Sequence, residues 1–535
     1  MNEFACSLAV TLALAAGGQE PVREQAMETV MQDDAQLLYE PAVARRAVRR
    51  MAALGVDRVR LTASWSALAP DTESERRPSF DAADSRAYPE QPFERLDTAV
   101  REVRRAGMQV MIDVAFFAPR WAVERPSENE GRHVWKPSVK EFALFTRAVA
   151  ERYDGSFEDP ARPGGAPLPA VRLWTTWNEP NHPAFLLPQW ERSGSRRVPA
   201  APHHYRDMHN AAYDQLKAVD LGNRVLIGGL ASFGVPGQGA EANLQPLRFT
   251  RELACVDSEM RPLRRPECRD FRPLRADGFS HHPYSRKSAP DTRDETRRDR
   301  VQLGELDRLT SLLSELDAAG RLEAPLPLYL TEYGYETRPP DPLGVPPDAV
   351  ARYLGQGTFL AWRSGSVRMF PQFLLQDIGP DLDEPPGTVA RWKDFQSGLF
   401  QYDGKPKPDV LQGFKLPFHA ETIQDENGAT EVAAFGQVRP GDGPQRVVIE
   451  RLDPSAGWVT ESSVPALGVR SGETCRDFLS DPQGYYGRRL TAREPGTYRA
   501  LWRRPDGGTE ASPEVTVGLP RPVLGGARGA LQPGP

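Results

Sequence analysis

Between residues 27 and 415 the chain switches eight times between a short apolar run and an amphipathic helical pattern. The clearest runs are VDRVRLTASW, MQVMIDVAFF, VRLWTTWNEP, RVLIGGLASF, ADGFSHHPY, LPLYLTEYGYE and VRMFPQFLLQD; the first, around Met27 to Leu38, is less distinct. They are apolar throughout, as expected of parallel strands covered on both faces. The segments between them, such as FERLDTAVREVRRAG and VQLGELDRLTSLLSELDAAG, carry apolar residues at the 3.6-residue period and end on Gly. Eight strand–helix units predict an α/β fold closed as a (β/α)8 barrel over residues 21–415. An open doubly wound sheet is the alternative. It is disfavoured because no Gly-rich phosphate loop follows the first strand.

Past about residue 418 the texture changes. TEVAAFGQV, QRVVIERL, GWVTESSV, GTYRALWRR and SPEVTVG are short alternating runs separated by Gly, Pro and Asp. They predict a β-sandwich over 416–518, followed by a disordered tail over 519–535. At the other end, MNEFACSLAVTLALAAGGQE has the apolar run and small residues of a secretory signal peptide (residues 1–20), although Glu3 stands where a basic residue is usual. The expectation is a secreted protein with no membrane-spanning helix. A net charge of −6 argues against a nucleic-acid partner. Of four cysteines, Cys255 and Cys268 bracket a short Arg/Pro-rich loop and are expected to form a disulfide, whereas Cys475 has no evident partner. No Cys/His spacing suggests zinc.

Barrel enzymes carry their chemistry at the C-terminal ends of the strands. Here those ends hold Arg60 and Trp65 (second strand), Trp121 just after the third, and Asn178 and Glu179 (fourth). His281, His282 and Tyr284 follow on the sixth, Glu332 and Tyr333 on the seventh, and Gln376 and Asp377 on the eighth. Each has a mundane reading: Arg60 as a structural ion pair, Trp177 as core, the His pair as a satisfied polar cluster. Two carboxylates facing each other across a barrel mouth are the parts needed to cleave a glycosidic bond.

WNEP on strand four and TEYG on strand seven resemble the catalytic signatures of the clan A retaining glycoside hydrolases. WNEPNHPAF is similar to family 39 (β-xylosidase and α-L-iduronidase), and the layout also resembles family 5. The resemblance covers nearly the whole barrel. It implies a hydrolase of O-glycosyl bonds acting by double displacement on a plant or microbial oligo- or polysaccharide, with no metal or cofactor. Glu179 would be the general acid/base and Glu332 the nucleophile. Asn178 would bind the sugar 2-hydroxyl, Arg60 and Tyr284 would keep Glu332 ionised, and His282 would line the sugar site. Trp65, Trp121 and Trp135 become candidate surfaces for stacking sugar rings.

One departure stands out. Many clan members place a Trp at the end of strand eight, where this chain reads QFLLQD; Trp392 or Phe395 is the expected substitute. The alternatives are an endo-acting family 5-like glucanase or mannanase, or a non-catalytic carbohydrate-binding surface protein. A pocket closed by loops in the 150s–160s and 190s would mark exo action.

Overall fold

The computed structural model describes residues 27–129, 131–235, 237, 239–424, 430–465, 475–490 and 495–518. The signal-peptide and tail segments expected at 1–20 and 519–535 lie outside them. The chain divides into two compact units, one ending at Lys415 and the other including Leu416 onward.

The first unit is an eight-stranded, all-parallel sheet. Its strands are β1 (Glu28–Gln32), β2 (Arg58–Ser64), β3 (Gln109–Ala115), β4 (Leu173–Thr176), β5 (Arg224–Ala231), β6 (Gly278–His282), β7 (Leu328–Leu330) and β8 (Met369–Phe373). Strand β1 pairs with both β2 and β8. The ring closes between β7 and the lead-in to β8: Leu328 N–H donates to Ser366 O at 3.1 Å, and Arg368 N–H donates to Leu328 O at 2.8 Å. This is the (β/α)8 barrel, not the open doubly wound sheet.

Among the described residues eight longer helices follow the strands: α1 (Pro41–Ala53), α2 (Glu90–Arg105), α3 (Val139–Arg152), α4 (Ala201–Val219), α5 (Pro246–Leu253), α6 (Leu306–Ala318), α7 (Pro347–Arg363) and α8 (Pro408–Lys415), with single turns at Asp34–Leu37 and Trp65–Leu68. Each turns its apolar stripe to the sheet. Helix α6 buries Leu306, Leu309, Leu312, Leu313 and Leu316, each stabilising the fold by roughly 1.5–3 kcal/mol. Inside the ring Val30, Met111, Leu173, Leu226, Tyr329 and Met369 form one cluster, contributed by six strands, so the barrel is a packed core rather than a pore. Strand register then sets the upper layer: Gln32 lies opposite both Arg60 and Phe373, and Asp113 opposite Thr175.

The second unit is antiparallel. One sheet orders β9 (Phe418–Gln424), β10 (Thr430–Gln437), β15 (Tyr485–Leu490) and β13 (Ser463–Pro465). The other centres on β11 (Arg446–Asp453) and β16 (Gly496–Arg503), with β12 (Gly457–Thr460), β14 (Phe478–Leu479), β17 (Thr509–Ala511) and β18 (Val515–Val517) around them. Phe418, Val432 and Tyr486 from the first sheet share a core with Ile449, Tyr498 and Trp502 from the second. The alternating runs therefore do build a two-sheet sandwich, its inward positions apolar.

Cys255 and Cys268 form the expected disulfide. Cys475, expected to be an unpaired small residue, is buried and also disulfide-bonded. No helix among the described residues is long and apolar enough to cross a membrane.

Candidate active site

Glu179 leaves β4 on strained backbone. Trp177 and Glu179 have φ of 70° and 38°, in the left-handed region that costs a non-Gly residue roughly 1–3 kcal/mol. Hydrogen bonds to both neighbouring strands hold the turn: Trp177 N–H to Val114 O at 2.8 Å and Glu179 N–H to Gly229 O at 2.9 Å. The second bond depends on two glycines. Gly229 itself has φ of 63°, and a Cβ on Gly228 would lie 2.4 Å from Ser280 O. Strand β5 thus comes close enough to β6 to bulge there and to present its carbonyl to Glu179.

Glu332 emerges just past β7. Arg60 donates to its Oε1 at 2.6 Å, and the Tyr284 hydroxyl donates to its Oε2 at 3.1 Å. Burial opposes ionisation of Glu332. His282, the Arg60 charge and the hydrogen bonds from Arg60 and Tyr284 outweigh it, so the carboxyl is held below its usual range. Arg60 is itself fixed: it donates to Asp113 at 2.7 Å, to Asn178 at 3.0 Å and to Gln32. Burial alone would weaken the guanidinium charge, but Asp113 and Glu332 override this and hold its pKa up. Burial pushes the Tyr284 hydroxyl far up, with the two glutamates adding to the effect, so it stays a donor.

Between the glutamates stands His282, wholly buried. Its Nδ1 is 2.9 Å from Glu179 Oε1 and 3.6 Å from Glu332 Oε2. One ligand atom from each of Glu179, His282 and Glu332 lies within 4.8 Å of the others. Two carboxylates and an imidazole are a possible cation set, but Arg60 already neutralises Glu332 at 2.6 Å and would repel a dication. A second group, His203 with Cys255 and Cys268, has both sulfurs in the disulfide and no thiolate to offer.

Beside Glu179 opens a cavity of about 380 Å3, lined by the loops after β5, β6, β7 and β8. Its walls include Phe233, Phe373, Phe395, Arg286, Lys287 and Glu336. Burial and the neighbouring Asp341 push Glu336 up to about 7.

The structure brings together Arg60, Asn178, Glu179, His282, Tyr284 and Glu332. It does not bring in the tryptophans. Trp65 is 1% exposed and stacks on Phe145 at 5.8 Å, in the core between barrel and α3. Trp121 packs edge-on to Trp65 and donates to Pro70 O. Trp135 lies in a hairpin beneath Arg125. His281 is turned away: its Nε2 meets Val301 O at 2.8 Å, and burial pulls it down to about 3. Gln376 bonds Arg50 and Tyr402 O, while Asp377 pairs with buried Lys407 at 2.7 Å, so neither reaches the site.

At the end of β8 it is Phe373 that faces the cavity, with Phe395 edge-on at 5.0 Å. Trp392 instead contacts Tyr402. The loop at 158–163 lines a different cavity with Arg152 and does not close this one. Sequence reasoning missed Asp113, Phe373 and the cavity's cations. Asp113 had a usable signal, a lone carboxylate inside the apolar run MQVMIDVAFF; the Thr175 hydroxyl and Arg60 satisfy it.

No family model and no curated protein matches this sequence. Among solved structures, the chain is similar to a glucosidase from Croceicoccus marinus (14% identity, 89% of this chain and 98% of that one, TM-score 0.47). It is also similar to GH5_18 from Streptomyces cattleya in complex with GlcNAc (14%, 73% and 80%, TM-score 0.44). A third is the β-glycosidase from the hyperthermophile Thermosphaera aggregans (15%, 69% and 83%, TM-score 0.42). At such identities every residue role rests on the geometry of this chain.

Proposed function

We propose that this chain is a retaining glycoside hydrolase. The observation that carries the reading is the spacing of its two carboxylates. One oxygen of Glu179 and one of Glu332 lie within 4.8 Å of each other, an upper bound on their nearest approach. Retaining enzymes hold their carboxyl groups about 5–5.5 Å apart, whereas inverting ones need about 6.5–9.5 Å to admit a water.

The surroundings divide the labour. Glu332, kept anionic by Arg60 and Tyr284, attacks the anomeric carbon and displaces the leaving oxygen. Glu179 gives that oxygen a proton. A water entering beside Glu179 then loses its proton to that carboxylate and cleaves the glycosyl ester, releasing Glu332. Asn178 precedes Glu179 in the chain and accepts from Arg60, which also holds Glu332, a placement suited to binding a sugar hydroxyl as charge develops. His282 positions Glu179 when the site is empty and yields that contact when a substrate oxygen arrives. A non-catalytic carbohydrate binder has no use for a buried arginine holding one carboxylate charged.

A panel of aryl glycosides tests the reading. Wild type should release phenol with retained anomeric configuration, followed by NMR. Azide should rescue Glu179→Ala with retention and Glu332→Ala with inversion. Full activity in either variant, or inversion by wild type, refutes it.

A further inference from the structure

The cavity beside Glu179 is lined by neither Glu332 nor Arg60 nor Asn178. Glu179 lines it, and so does Tyr284, the donor to Glu332. Resting on the glycosidase reading, the group beyond the departing oxygen is assigned to it because Glu179, which protonates that oxygen, is the one of the two carboxylates in its wall.

The lining indicates the chemistry of that group. Three aromatic rings, Phe233, Phe373 and Phe395, form much of the wall, and Phe395 is 49% exposed. Two cations, Arg286 and Lys287, also face the cavity, and neither makes an ion pair among the described residues. Arg286 is held over the Phe233 ring at 4.3 Å, from a backbone φ of 54° that is unfavourable for a non-Gly residue. Both cations are exposed and solvated, and the ring contact keeps the Arg286 guanidinium at the cavity wall, where an anion arriving with a ligand can meet it. Glu336 also lines the cavity and feels the Lys287 charge; burial and the neighbouring Asp341 push it up to about 7, which weakens its hold on that cation.

We propose that this cavity is a leaving-group subsite for an aromatic aglycone bearing an anionic substituent, a carboxylate or a sulfate. The rings take the flat apolar body, and Arg286 and Lys287 take the anion.

The test compares 4-carboxyphenyl glycosides with their methyl esters, across a panel of sugars. The ester has the better leaving group electronically, so any preference for the carboxylate measures binding. Wild type should favour the carboxylate about tenfold in kcat/KM, the size expected of a partly desolvated charge pair. In Arg286→Ala/Lys287→Ala the ratio should fall to about one, and in Arg286→Glu/Lys287→Glu it should invert. The 4-sulfophenyl glycosides separate the two anions. A ratio of one in wild type, or a ratio unchanged by the double substitutions, overturns the proposal.

Hydrolysis of the neutral ester and its loss in Glu332→Ala report separately on the glycosidase reading. Should no glycoside be cleaved, titration of 4-hydroxybenzoate against its methyl ester by NMR still decides the subsite. Equal affinity overturns it.

Discussion

Arg60 and Arg488 are each 2% exposed, one at the mouth of the barrel and one in the sandwich. Around Arg60 stand two carboxylates, an amide oxygen on Asn178 and another on Gln32, and its charge is reinforced. Arg488 donates to the hydroxyl and carbonyl of Ser463 and lies over the Phe478 ring; burial pulls it down to about 10. The same side chain at the same depth is thus used in two ways. In the sandwich it ties β15 to β13 by hydrogen bonds. In the barrel it is the centre of an ionic network whose outermost member, Glu332, reaches solvent. Buried charge that ends on a solvent-reaching carboxylate points to chemistry; buried charge that ends on neutral acceptors points to architecture.

Substitutions can break that contrast. The largest effect should come from Glu332→Ala, lowering kcat/KM by a factor on the order of 10^4 while thermal stability changes little. Comparable unfolding in thermal melts would make the network structural instead. Arg60→Met should come next. It leaves Asp113 buried without its ion-pair partner, so stability should fall by about 3–5 kcal/mol in denaturant titrations, with activity lost as well. Arg488→Met should cost at most about 3 kcal/mol, from the unsatisfied Ser463 groups, and leave kcat/KM unchanged.

Two pH experiments sharpen the comparison. In the proposed mechanism Glu332 must be ionised to act, and its folded pKa is lowered, so the acid limb of kcat/KM should lie below the ordinary glutamate value of 4.5. Tyr284→Phe removes one donor that favours the anion. The limb should move toward higher pH and kcat/KM should fall about tenfold.

In the sandwich, burial pushes Asp481 up from 3.8 to about 6. The folded state then binds that proton more tightly than the unfolded one. Its contribution to stability is full below about pH 3.8 and is lost as pH rises through about 6. Asp481→Asn keeps both N–H bonds, from Gln483 and Tyr485, to the same side-chain oxygen. It should remove a pH-dependent loss of at most about 3 kcal/mol across that window and leave the activity profile unmoved.

Much was legible beforehand. The eight alternations specified the barrel, because a helix or a doubly covered strand imposes its own period on a local stretch of residues. The turn residues after β4 and β7 marked Glu179 and Glu332, since a polar residue placed just past a buried strand has few structural uses. Arg60, Asn178, His282 and Tyr284 could be named because the family resemblance implies a role for each, although Arg60 lies inside β2 and His282 inside β6 rather than past them.

What the sequence could not decide depends on partners far along the chain. Trp65 looked like a sugar platform until α3 supplied Phe142 and Phe145 to bury it. Gln376 and Asp377 looked like site residues until Arg50 and Lys407 claimed them. Of the two expected substitutes at the end of β8, Phe395 lines the cavity together with Phe373, while Trp392 contacts Tyr402 instead. Periodicity therefore settled which elements form, and the motifs at two strand ends singled out Glu179 and Glu332. Only the packing of loops from four different strands decided which rings and charges surround those acids, because contacts at that separation leave no local period to read.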